Sequence, residues 1–153
     1  MKLSRLLLIL LVFLSGFASG AAVFVRIQAR PLPPLSECSE GGECLSDPQL
    51  LGLLTSIGLR LAPGLMPDVV GRSKHCVGIN SPRPETKIDL VFFPTRDIRN
   101  LLDVTAADAP QLMDCFALMR RVADERGLSD WKVMTNGPGM QSIAYLHFHL
   151  LQN

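Results

Sequence analysis

The chain is poor in histidine, with three in 153 residues. It has no marked excess of either charge, with 15 Lys and Arg against 14 Asp and Glu. A nucleic-acid partner calls for a basic surface, and this balance gives no reason to expect one. There are four cysteines but no Cys-x-x-Cys pair, so nothing supports a cysteine-rich zinc site. No cysteine closely follows the apolar N-terminal run, which argues against a lipoprotein signal. No internal repeat or heptad pattern is present, which sets aside solenoids and coiled coils. The length suits one domain plus an appendage.

Two of the three histidines lie together near the end of the chain, in an alternating stretch from Gly139 to Leu151. Read as a β-strand, this stretch puts Tyr145, His147 and His149 on one face and Leu146, Phe148 and Leu150 on the other. The apolar face suits a core. The opposite face presents two imidazoles about 7 Å apart, from a rise of roughly 3.3 Å per residue. Imidazole is a nucleophile, a base or a metal ligand near neutral pH. Two imidazoles can share a zinc ion, but no third ligand is evident, because Tyr145 is a poor one and His75 is remote in sequence. We therefore expect no metal and no other cofactor.

At the other end, Lys2 and Arg5 precede an uncharged run from Leu6 to Val25. Such a run is long enough to span a bilayer as a helix, and longer than a usual signal-peptide core. The small residues Ala18 to Ala22 leave cleavage open. Residues 1–28 are expected to be a membrane anchor, with the N-terminus inside and the domain outside the cytoplasm, on the periplasmic side in a Gram-negative cell. Residues 29–47 read as a Pro-rich linker and cysteine loop. An exported setting permits disulfides, and Cys38 and Cys44 are close enough to close a small loop. Cys115 falls on the apolar side of a predicted helix and reads as a buried free thiol.

Residues 48–153 form the expected domain, with a core over 74–151. Pro48 to Leu61 carries Leu50, Leu53, Leu54, Ile57 and Leu61 at helical spacing. Strands are expected from Val69-Val70, over Lys74 to Asn80, over Ile88 to Phe93 before Pro94, and over Trp131 to Met134. Thr105-Ala106-Ala107-Asp108 has the pattern of a helix start. The helix that follows places Leu112, Cys115, Phe116, Met119, Val122 and Ala123 on one face, and Gly127 ends it. Asn136-Gly137-Pro138-Gly139 is a turn joining the last two strands as an antiparallel pair. The order gives an α+β domain. Around that turn, Asn136, Gln141 and Ser142 offer small polar groups and free backbone N–H groups that suit phosphate oxygens.

The segment from about Cys76 to Leu151 resembles the histidine triad superfamily of nucleotide hydrolases and transferases. Leu90 to Phe93 with Pro94-Thr95-Arg96-Asp97-Ile98 is similar to that family's strand, proline and basic-loop element. The helix from about Ala106 to Arg126 is similar to its long helix. Val133 to Gly137 and Gln141-Ser142 resemble its strand, Asn-Gly turn and Gln-Ser lead-in. Leu146 to Leu151 resembles the end of its His-φ-His-φ-His-φ-φ signature. The resemblance implies an antiparallel sheet with one long helix packed on it, and a homodimer formed through that helix and an adjoining strand.

The resemblance also implies a nucleotide-type substrate. It makes His147 the nucleophile that attacks phosphorus and His149 the third histidine of the triad. Asn136, Gln141 and Ser142 would hold the phosphate. Two positions depart from the family. Tyr145 stands where the first histidine is expected, and Asp97 where a further histidine follows the proline loop; both would fill altered polar positions in the phosphate site. The layout is also similar to the membrane-anchored CDP-diacylglycerol pyrophosphatase type. The expected function is a membrane-tethered hydrolase or transferase of a nucleotide phosphoanhydride or related phosphoester. The alternative is a non-catalytic domain that binds a nucleotide or lipid head group at the cell envelope.

Overall fold

The computed structural model describes residues 2–27, 46–61 and 66–153. The chain divides into two compact units, Met1–Pro31 and Leu32–Asn153. The first holds helix α1, Lys2–Ile27. Among the described residues no helix is long and apolar enough to cross a membrane. This contradicts the expected membrane anchor, on which the placement of the domain outside the cytoplasm rested. The expected Cys38–Cys44 pair and its linker lie outside the described residues.

The second unit is α+β. It contains α2 (Asp47–Leu61), β1 (Val69–Arg72), β2 (Cys76–Asn80), β3 (Ile88–Pro94), α3 (Ala109–Glu125), β4 (Lys132–Met134) and β5 (Phe148–Gln152). The strands form one antiparallel sheet in the order β1-β2-β3-β5-β4. β5 inserts between β3 and β4, so the histidine-bearing strand is central. Its register sets Val91 and Met134 on either side of His149.

Strand alternation divides the sheet into two faces. On one face Leu90, Phe92, Phe148 and Leu150 pack with Cys115, Leu118, Met119, Val122 and Ala123 of α3. Each large apolar side chain buried this way contributes roughly 1.5–3 kcal/mol. The other face carries Val77, Ile79, Val91, Phe93 and Tyr145, joined by Leu59 of α2. Gly78 is needed between the strands, because a Cβ there would meet the Phe92 ring at 2.6 Å. Gly127, at φ +63°, follows α3 in the left-handed region that favours glycine at a helix end.

Along α2, Leu50 and Leu54 are exposed and Leu53 and Ile57 half-buried, while Gly52, Ser56 and Leu59 are buried. The Pro48 carbonyl accepts from Ala144 N at 2.8 Å. Two expectations are corrected. Cys115 is not a free thiol. It is bonded to Cys76, with Cα atoms 5.1 Å apart, because β2 starts beneath α3. Finally, the closing strand is shorter than expected. Residues 138–140 form a 3-10 turn, and the ladder begins only at Phe148. Upstream, the N–H groups of Ala144, Tyr145 and Leu146 donate to Pro48, Ile143 and Ile98 rather than to a neighbouring strand.

Candidate functional site

The site is built on the sheet face opposite α3. His147 lies just before β5 and is 3% exposed. Its Nδ1 is 2.7 Å from the Tyr145 carbonyl. A carbonyl only accepts, so Nδ1 carries the hydrogen and Nε2 keeps its lone pair. Thr135 at the end of β4 donates its hydroxyl to the His147 carbonyl at 2.8 Å, fixing the backbone behind the ring. Burial pushes the His147 imidazole below its ordinary value. The Tyr145 carbonyl opposes that shift, nearby His149 adds to it, and Asp89 opposes it. The ring is thus held neutral, the form that can attack an electrophile.

His149 is the second imidazole, its ring centroid 5.2 Å from that of His147. The expected pairing of rings on one face is therefore present, edge to face. Its side chain is 16% exposed, and its Nδ1 lies 2.9 Å from Oδ1 of Asp89, whose own side chain is fully buried. Oδ2 of Asp89 accepts from Glu85 N at 3.2 Å. Sequence reasoning passed over Asp89. The signal was present: it is the one charged residue in the apolar run Ile88–Phe93, and alternation puts it on the face shared by Val91 and Phe93.

Tyr145 has a different job from the expected one. It is fully buried, and its hydroxyl donates to the Pro94 carbonyl at 2.6 Å, with the Arg96 carbonyl at 3.1 Å. This ties the end of β3 to the histidine segment and leaves no tyrosyl proton for an anion. Phe93 fills the space between, its ring 6.1 Å from Tyr145 and 5.7 Å from His147.

The remaining expected residues sit in loops. Asn136 is half-buried, two residues beyond the Met134 that pairs with His149. Gln141 is 9% exposed, and its Nε2 is buried with no hydrogen-bond partner. Ser142 is exposed, and Asp97 is half-buried beside the Arg96 carbonyl that faces Tyr145. Beyond that loop, Arg96 Nε meets buried Asp108 at 3.0 Å. Among the described residues no group of three or more His, Cys, Asp or Glu is placed to hold a metal ion.

No protein-family model matches this chain, and no curated protein does. Solved structures do. A HIT family hydrolase from Legionella pneumophila Philadelphia 1 is 26% identical, with 62% of this chain and 89% of that chain covered and a TM-score of 0.56. A histidine triad protein from Clostridium difficile is 20% identical, with 63% and 89% covered and a TM-score of 0.57. The fold is HIT-like. A HIT family hydrolase from Clostridium thermocellum repeats it, at 19% identity, 65% and 89% coverage and a TM-score of 0.59. In this HIT-like fold the sheet, the long helix and the segment bearing His147 and His149 occur in the order the sequence motifs imply.

Proposed function

We propose that the protein is a hydrolase or transferase of a nucleotide phosphoanhydride or related phosphoester, with His147 as nucleophile. The observation that carries this reading is the bond between His147 Nδ1 and the Tyr145 carbonyl. It presents Nε2 of a neutral imidazole, which can form a P–N bond while the leaving oxygen departs. The second imidazole stands beside it, and Gln141 Nε2 offers an unpartnered donor in the preceding turn. Asn136 and Ser142 would complete the phosphate contacts, and Asp97 would orient a bound cationic or hydroxyl group. The 26% identity to a protein described as a HIT family hydrolase supports the same chemistry.

The test is turnover of a panel of nucleotide diphosphate conjugates and chromogenic nucleotide esters, CDP-diacylglycerol among them. Wild type should turn over at least one member and form a labelled nucleotidyl adduct on His147. His147→Ala should do neither. Equal turnover by the two proteins ends the proposal.

A second reading is favoured by one observation, the 3% exposure of His147. A nucleophile this enclosed meets a phosphorus atom only if its cover moves. A domain that binds a nucleotide or head group without cleaving it would show saturable binding, no product and no adduct.

A further inference from the structure

A histidine nucleophile leaves a proton unaccounted for. When water cleaves the P–N bond, some group must accept a proton from it. Tyr145 cannot, because its hydroxyl is committed to the Pro94 carbonyl. With His149 of the triad as the imidazole that carries this proton, we infer that Asp89 is its positioning residue. The inference rests on His147 acting as the nucleophile.

The geometry is specific. Asp89 has no exposed side-chain surface, yet it stands in an otherwise apolar strand. A buried carboxylate is costly unless paired. Both of its oxygens accept: Oδ2 from Glu85 N at 3.2 Å and Oδ1 from the His149 ring at 2.9 Å. An acceptor-only carboxylate fixes the hydrogen of His149 on Nδ1, so Nε2 is the nitrogen free for proton exchange. That ring is the more exposed of the two and lies 5.2 Å from His147. The titratable groups facing it are Asp89 from β3 and His147 from its own segment. Its strand neighbours Val91 and Met134 are uncharged. Asp89 therefore fixes the orientation and hydrogen placement of the ring at 149, while burial keeps 147 neutral. Two adjacent imidazoles are given opposite roles by their surroundings.

The cycle balances. First, the lone pair of His147 Nε2 forms the P–N bond, the P–O bond to the leaving group breaks, and protonated His149 gives its Nε2 proton to the departing oxygen. Then the oxygen of water bonds to phosphorus, the P–N bond breaks with its electron pair returning to His147, and His149 Nε2 takes a proton from that water. The second hydrogen of water stays on the product phosphate, and the pair regains its starting protonation.

The experiment uses the full chain and p-nitrophenyl thymidine 5′-monophosphate, whose leaving group departs without a proton. Asp89→Asn should lower kcat by about 100-fold or more while kcat/KM changes by less than about threefold, because formation of the adduct from this substrate needs no proton and general acid–base assistance is lost only from its hydrolysis. A labelled nucleotidyl adduct on His147 should accumulate, since only its hydrolysis is slowed. His149→Gln should behave alike and serves if Asp89→Asn does not fold. Adduct formation by wild type, with kcat, adduct level and pH profile unchanged in both variants, overturns this inference alone. Absence of adduct and turnover in wild type overturns the nucleophile reading and this inference together.

Discussion

Single side chains decide what the two imidazoles can do. Tyr145 occupies a place where a third imidazole would suit proton transfer, and it serves instead as a buried tie between chain segments. Tyr145→Phe keeps the ring packing and removes the bond to the Pro94 carbonyl, leaving a buried acceptor unsatisfied at a cost of about 1–3 kcal/mol. Urea unfolding should register that loss. His147 gives a second expectation at this scale. Its folded-state affinity for a proton is lowered, chiefly by burial. Below the unfolded value of about 6.5 the unfolded chain binds the proton and the folded chain does not, so stability falls as pH is lowered through that window and levels off above it. The urea midpoint should drop between pH ~7.5 and ~5.5, and His147→Asn should lose that part of the drop. Adduct formation in wild type should persist below pH ~6.5, because the nucleophile stays neutral there.

At the level of elements, covalent and polar ties hold α3 to the sheet. The Cys76–Cys115 bond encloses 39 residues of sequence separation. The loop-entropy relation assigns such a ring about 4 kcal/mol. One position away on the helix, Asp114 accepts from Ser73 Oγ at 2.6 Å and from His75 N at 2.7 Å. The Ser73 bond leads in holding its carboxyl below the usual range. A dithiol reductant, or the double variant Cys76→Ser/Cys115→Ser, should lower unfolding stability by about 4 kcal/mol with the sheet retained. An unchanged urea midpoint would show that the non-covalent ties suffice. The capped turn leading into α3 was readable in advance: Thr105 N and Oγ1 donate to Asp108 Oδ2 at 2.9 and 2.8 Å, around a 3-10 turn over Ala106–Asp108, and α3 itself begins at Ala109. The buried face of α2 was not readable. Its leucines dominate any count of apolar spacing, whereas the buried positions include the small residues Gly52 and Ser56.

Across the whole molecule, what could be read in advance follows a physical division. Strands with alternating or continuous apolar residues, such as Ile88–Pro94 and Phe148–Gln152, announce themselves because burial on a two-residue period leaves a pattern in the chain. So do the long helix and the pairing of the last two strands. The stretch leading into His147 misled because its alternation continues past the point where its backbone bonds to other segments. Asp89 and the Cys76–Cys115 bridge depend on partners 60 and 39 positions away, and no local period encodes distance of that kind. The strand order has a consequence for synthesis. β1, β2, β3 and α3 emerge from the ribosome as neighbours, but β4 has no partner until β5 follows it and slides in beside β3. The nascent sheet therefore waits half-built, with Asp89 already placed on β3 and its imidazole partner not yet translated.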